Sequence, residues 1–484
     1  MTYPPFYFDA NRPVDLICMG RVAVDLYAEQ IGVSLSEAQS FRKYLGGCAG
    51  NIAVGTARLG LQCMMFSCVG QDEMGRFLKN ELEREGVNTD LLCETPEHLT
   101  GLVLLGIKPP HEFPLMFYRT DCADMQIKSQ QINKSILQQT KAILITGTGL
   151  STDAILHTTE EVIQLARHTE TAIVLDLDYR PVLWGLTTRG NGETRYCASM
   201  KVSQIYQRIL SFCDLIVGTE EEICIAGGCD EIHSALKNIR ALSRAPIVLK
   251  RGEKGAEVYF AGNSQPLASK PFPVEVLNVL GAGDGFMAGL LSSLLQGTSW
   301  EAATAYANAC GALVVTRHGC APAIPYKEEL DYFIQHFDAE PRIWESTYLA
   351  QLHQKNTPKN PQLLIKNPHG FTQGLNTIVT LDSLSHEGMN FSSLKLNAGQ
   401  KYLFNDHYEF AALLMTGKVV FHYANQSQHA ERYDYFSQEP VVLHCPAGQR
   451  AAVDALSDCE ILLIETENHA AFAPLLFNQS NLLE

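Results

Sequence analysis

Short, nearly continuous apolar runs punctuate the chain as far as Lys250, at 14–19, 63–69, 142–146, 172–177, 215–217 and 247–250. Each reads as a strand. Between them lie stretches of helical periodicity at 49–58, 76–85 and 153–168, and a helix that ends over 205–212. Strands that are apolar along their whole length are buried on both faces. The βαβα rhythm therefore predicts an α/β domain with a central, mostly parallel sheet and helices on both sides. Residues 100–107 and 115–118, joined by 108–112, read as a hairpin beside that sheet. Further on, 272–276 has a strand pattern and 286–295 reads as a buried helix with Gly297 as its stop.

The pattern changes after a polar, proline-containing stretch at 354–361. Runs at 391–396, 410–415, 418–423, 441–444 and 461–464 alternate with period two and are separated by turns such as Asn397-Ala398-Gly399 and Pro446-Ala447-Gly448. They predict a small all-β sandwich or barrel. The expected organisation is a first domain over 1–340, a linker over 341–365 and a β domain over 366–484.

At 484 residues, 46% of them hydrophobic, the chain has ample material for more than one core. Its net charge of −16 argues against nucleic acid or an anionic membrane as partner. An anionic substrate then needs a local cluster of Arg, Lys and amide groups. The fourteen cysteines show neither a CxxC pair nor a disulfide spacing, and no apolar stretch could span a bilayer. With no basic or apolar leader at the start, a reducing cytoplasm is expected.

Chemistry concentrates in two glycine-rich stretches. Asn278-Val279-Leu280-Gly281-Ala282-Gly283-Asp284-Gly285-Phe286 precedes the helix expected at 286–295. Glycines 281 and 283 allow close approach of a ligand. Free amides and the positive end of the helix dipole make such a turn an anion site. Asp284 fits there as a base beside a phosphoryl group; alternatively it caps a tight strand–helix turn. In Gly46-Gly47-Cys48-Ala49-Gly50-Asn51-Ile52-Ala53, two glycines again precede a helix, and Asn51 can both donate and accept. A Gly-x-x-x-x-Gly-Lys-Ser/Thr loop is absent, and Phe286 replaces the last glycine of a dinucleotide fingerprint.

These two stretches, in this order, resemble the two signatures of the ribokinase-like (PfkB) carbohydrate kinases. The resemblance implies ATP and Mg2+ as cofactors and a small β lid beside the sheet. It makes Asp284 the general base and the amides of Gly281, Ala282 and Gly283 a cradle for the transferred phosphate. Asp25, Gly46, Gly47 and Asn51 become sugar ligands. Thr219, Lys250, Gly252, Gly283 and Asn308 fall on the nucleotide side, and Glu222 orients the magnesium through water. Asn278-Val279 stands where most of the family has Asp-Thr, which speaks against its monovalent-cation activation.

Further stretches resemble one branch of the family, the 5-dehydro-2-deoxygluconokinases of myo-inositol catabolism: Phe117-Tyr118-Arg119 with Cys122-Ala123-Asp124, Asp176-Leu177-Asp178-Tyr179-Arg180-Pro181, and Val217-Gly218-Thr219-Glu220-Glu221-Glu222. The resemblance implies a keto-acid substrate phosphorylated on its terminal hydroxyl. Arg119 and Arg180 suit its carboxylate, because a guanidinium pairs with it bidentately. Fructose or 2-keto-3-deoxygluconate as substrate, and a non-catalytic sugar sensor, are the alternatives. The segment at about 370–470 resembles the N-terminal half of the two-cupin 5-deoxy-glucuronate isomerases. Metal-binding cupins use a histidine cluster with a glutamate, whereas this segment offers His407 and Glu409, and Ala451 stands at the later histidine position. A packing or dimerisation role is expected, with a homodimer as the assembly; a bifunctional kinase–isomerase is the competing reading.

Overall fold

Along the first strand, β1 (Val14–Met19), Leu16 and Cys18 face one hydrophobic core and Ile17 and Met19 another. That alternation, with every one of the four buried, is what a strand with helices on both sides requires. In a computed structural model of the chain, residues 3–108, 113–188, 190, 192, 194–340, 342–357, 370–380, 389–434, 438–468 and 470–478 are described. The chain divides into two compact units, Met1–Pro358 and Lys359–Glu484.

In the first unit the strands are β1, β2 (Ala23–Ala28), β3 (Phe41–Gly46), β4 (Cys63–Gly70), β5 (Leu92–Thr95), β6 (Leu102–Leu105), β7 (Leu115–Tyr118), β8 (Thr140–Thr146), β9 (Ala172–Asp176), β10 (Leu215–Thr219), β11 (Ile247–Lys250), β12 (Ala256–Tyr259) and β13 (Leu267–Ser269). The helices are α1 (Cys48–Arg58), α2 (Glu73–Arg84), α3 (Lys134–Gln138), α4 (Asp153–His168), α5 (Met200–Leu210), α6 (Glu220–Gly227), α7 (Ile232–Leu242), α8 (Ala282–Leu295), α9 (Trp300–Val315), α10 (Lys327–His336) and α11 (Thr347–Asn356). Nine strands form the main sheet in the order β13-β12-β11-β10-β9-β8-β1-β4-β5, parallel except at β11–β12 and β12–β13. A second sheet, β3-β2-β6-β7, contains the expected hairpin of β6 and β7. Residues 109–112 of their connection lie outside the described residues.

Two sequence expectations are corrected. Residues 272–276 are not a strand. Phe272 and Val274 are partly buried beside α10 instead, Phe272 meeting the rings of Phe333 and Phe337 at 5.6 and 4.8 Å, while Val276 is exposed. The following Leu277 and Asn278 amides both donate to the Val315 carbonyl at the end of α9. The stretch expected to link the domains is in part helical. Seryl cap Ser346 starts α11, which buries Leu349 and Leu352 within the first unit; residues 358–365 of that stretch lie outside the described residues.

The second unit contains β14 (Gly374–Val379), β15 (Asn390–Leu396), β16 (Lys401–Leu403), β17 (Glu409–Tyr423), β18 (Gln426–Arg432), β19 (Val441–Cys445), β20 (Ala451–Ala455), β21 (Cys459–Thr466) and β22 (Leu475–Phe477). The two strands expected at 410–415 and 418–423 are one, β17. It pairs with β19 and β21 through its first half and with β18 and β20 through its second. Leu394, Phe410, Leu414, Phe421, Leu443, Val453 and Ile461 fill the space between the strands.

Candidate active site

The carboxyl ends of β1, β9, β10 and β11 and the start of α8 bring the motif residues into one cleft. Asp284 lies in the first turn of α8, and Asn51 in the first turn of α1 donates to its Oδ2 at 2.7 Å. The Asn51 Oδ1 is buried without a partner, so it can accept a hydroxyl. Burial, followed by the charge of Asp178, raises the Asp284 carboxyl above its ordinary value; hydrogen bonds from Asn51 and Cys48 draw it partly back. Gly281 caps α8 with φ 83°, the left-handed region, and its Cα faces Cys320, whose Sγ is 2.8 Å from the Tyr27 hydroxyl. The Ala282 amide leans back to the Val279 carbonyl at 3.4 Å, and the next amides of the turn have no intrahelical acceptor.

Asp25, on β2, is also buried. Burial pushes its carboxyl up to about 7 against the pull of Arg21, with Asp284 adding to the rise. Gly46 explains the first glycine of its motif, since a Cβ there would fall 2.1 Å from the Asp25 carboxyl carbon. Gly47 has φ 88°, and its Cβ would strike the Arg21 carbonyl at 2.6 Å.

On the other side of the cleft, Thr219 caps α6 and accepts from the Glu222 amide at 3.3 Å, while Glu222 Oε2 accepts from the Thr219 amide at 2.8 Å. Glu222 Oε1 accepts from the Tyr179 amide at 3.2 Å. Lys250 Nζ pairs with Asp176 at 3.0 Å and lies 3.9 Å from Glu222. Burial works against that ammonium, but the two carboxylates outweigh it and hold it above its usual range. Asp176 is itself pushed up to about 7 by burial, against the pull of Lys250. A Cβ on Gly283 would sit 3.5 Å from Lys250 Nζ, so the lysine stands directly behind the glycine turn. Gly252 begins an open turn at φ 55°. Asn308 is spent on Ser269 Oγ at 3.1 Å and the Lys270 carbonyl at 2.9 Å.

The arginines divide. Arg119 is buried and ion-paired with Asp124. Arg180 pairs with Asp178 at 3.2 Å. Burial opposes its charge, yet Asp178, Glu222 and Asp284 together strengthen it. Sequence reasoning gave no role to Arg21, Cys48, Asp176, Asp178 or Arg195. Cys48, Asp176 and Asp284 present ligand atoms within 4.8 Å of one another. Arg195 is repelled by Arg180, which lowers it to about 10. Asp178 carries φ 29°, a strained value for a residue with a side chain. Its motif neighbours gave the only sequence signal for it.

Residues 14–327 match the family model for pfkB family carbohydrate kinases. The chain belongs to that family. The resemblance of its two glycine stretches and the expected fold are both borne out. This pfkB kinase is 30% identical over 339 residues to the 5-dehydro-2-deoxygluconokinase of Geobacillus thermodenitrificans (strain NG80-2), covering 69% of the chain and 96% of that relative. With the 5-dehydro-2-deoxygluconokinase of Clostridium tetani (strain Massachusetts / E88) it shares 31% over 336 residues, 68% of the chain and 95% of the relative. Among solved structures, the fructokinase of Xylella fastidiosa with bound ATP superimposes with a TM-score of 0.57 at 22% identity, over 67% of this chain and 99% of that one. A double mutant of Vibrio cholerae O395 fructokinase, bound to fructose, ADP and potassium, gives 0.57 at 25% identity over 67% and 99%. Residues 363–483 match the KduI/IolB family. Among the described residues no helix is long and apolar enough to cross a membrane.

Proposed function

We propose that this carbohydrate kinase transfers the γ-phosphoryl group of ATP to the terminal hydroxyl of 5-dehydro-2-deoxy-D-gluconate, with Asp284 as general base. The observation that carries the reading is the Asn51–Asp284 hydrogen bond, which aims a carboxylate of raised basicity into the same cleft as Asp25. The substrate rests on the names of the relatives, which align with this chain over 339 and 336 residues. Asp25 and the free Asn51 Oδ1 hold sugar hydroxyls. Asp284 takes the proton of the attacking hydroxyl as its oxygen bonds to the γ-phosphorus, and the bond to the departing ADP breaks. The open amides at the start of α8 and the nearby Arg180 offset the charge on the moving phosphoryl oxygens.

Both Glu222 oxygens accept a backbone amide and keep lone pairs for water. This suits an ion that retains most of its own water, so Glu222 would hold Mg2+ through solvent. When bound, Mg2+ supplies charge neutralisation on the ATP phosphates.

The match of the second unit to the KduI/IolB family favours a second reading, a fused isomerase. Against it, Glu409 turns outward to His444 Nε2 at 2.7 Å and to Asn468, and the space between the strands is apolar. ATP consumption measured against a panel of keto-sugar acids, with fructose and 2-keto-3-deoxygluconate included, tests the substrate. An isomerase assay on the full chain tests the second activity. A pronounced preference for a neutral sugar would overturn the acid substrate.

A further inference from the structure

Arg21 lies two residues past the end of β1 and is buried at 7% exposure, yet its guanidinium donates no hydrogen bond among the described residues, and its Nε is buried without a partner. The nearest carboxylate is Asp178, with Oδ2 at 3.9 Å, too far for a hydrogen bond. Arg58 shows what a structural buried arginine looks like in the same molecule. It donates to both Glu85 oxygens and to the carbonyls of Ala321, Pro322 and Ile324. A buried guanidinium whose Nε has neither water nor an acceptor, and whose nearest carboxylate is beyond hydrogen-bond reach, is costly. That cost is recovered when an anion arrives.

The position of Arg21 says which part of a substrate it meets. Its charge pulls on the Asp25 carboxyl, the sugar-side acid. Its guanidinium carbon lies 5.8 Å from the ring of Phe117 on β7, in the small sheet. Arg180 meets the other Asp178 oxygen, Oδ1, and feels the charges of Glu222 and Asp284. Arg119 also has Nε and Nη1 buried without partners and also pulls on Asp25, but its charge is already neutralised by the hydrogen-bonded ion pair with Asp124, which Arg21 lacks.

We propose that Arg21 is the specificity-determining residue that reads the carboxylate of the sugar acid, while Arg180 serves the phosphoryl group. The proposal rests on the acid-substrate reading above. Asp178, bridging the two guanidiniums from a strained backbone, keeps them apart and assigns each its side. The carboxylate would meet a guanidinium already positioned by the fold.

Steady-state kinetics on the full chain test this with 5-dehydro-2-deoxygluconate and with fructose. Arg21→Gln is expected to raise KM for the acid by about 10- to 100-fold, the loss of a charge-assisted contact, with kcat and the KM values for fructose and ATP within about threefold. Arg21→Lys keeps the buried charge without the fork, and is expected to raise KM for the acid alone by roughly 3- to 10-fold. Arg180→Gln is expected to lower kcat for both sugars. If Arg21→Gln does not fold, the lysine variant decides. Equal KM increases for acid and neutral sugar, or an acid-selective increase from Arg180→Gln and not from the Arg21 variants, would overturn the assignment. A wild-type chain that turns over fructose and no acid overturns the substrate reading itself, and this proposal with it.

Discussion

Asn51 and Asp284 stand 233 positions apart and meet at 2.7 Å, so the orientation of the proposed base depends on a side chain from the other signature. Replacing Asp284 by Asn removes the proton acceptor and keeps the shape. It is expected to lower kcat by roughly 10²–10⁴ with little change in KM, read by steady-state turnover. The same residue sets a pH dependence. Its carboxyl is raised, the base form is the ionised one, and activity is therefore lost as pH falls through the raised value. The acid limb of the kcat profile should lie above the ordinary carboxylate range of about 4, and should disappear in the residual activity of the Asn variant. At this scale the sequence was legible where a role is local. Gly281, Gly283 and Asp284 share one turn, and Gly46, Gly47 and Asn51 another. Arg21 and Asp178 were not legible, because their meaning comes from two strand ends, 157 positions apart, that only the sheet brings together. Lys250 was read as a nucleotide ligand; its first partner is Asp176, at the end of β9 and across the intervening β10.

Helices α1 and α8 carry the two signatures, and their packing holds the proposed base Asp284 in register with Asn51. Gly55 on α1 makes the approach possible, because a Cβ there would lie 2.6 Å from the Ala288 Cβ on α8. Gly55→Val is expected to force the helices apart, costing about 1–3 kcal/mol in denaturant unfolding. Turnover should fall in addition, because the shift lengthens the Asn51–Asp284 contact. An unchanged kcat in a destabilised variant would show that the pair tolerates the movement. The strands of the main sheet were readable since burial on both faces leaves an uninterrupted apolar run. Residues 272–276 misled because their apolar positions do not record a strand's burial: Phe272 and Val274 are partly buried against a helical cluster and Val276 is exposed. In the second unit, Gly417 concealed the continuity of β17. It looks like a turn, but its φ of 108° lets the strand pass Cys459, where a Cβ would come within 2.4 Å.

Over the whole chain, the two units have separate cores and match separate families. A chain ending at Pro358 retains α11 and every residue assigned a role in phosphoryl transfer. It is expected to keep kcat within about threefold of the full chain, measured by ATP consumption. A larger loss would give the second unit a part in the kinase reaction. The division itself was visible in the change of periodicity, while α11 was hidden inside a polar stretch whose apolar positions are sparse. The count of protons the molecule carries also belongs to this scale. Asp25 and Asp176 both sit near 7, so around neutrality each is shared between its two forms. Sugar hydroxyls donating to Asp25 favour the carboxylate, and occupancy of the cleft should expel a fraction of a proton into the medium. Titration calorimetry in buffers of different ionisation heat would then return different apparent enthalpies at neutral pH, converging at about pH 9, where both groups are already bare.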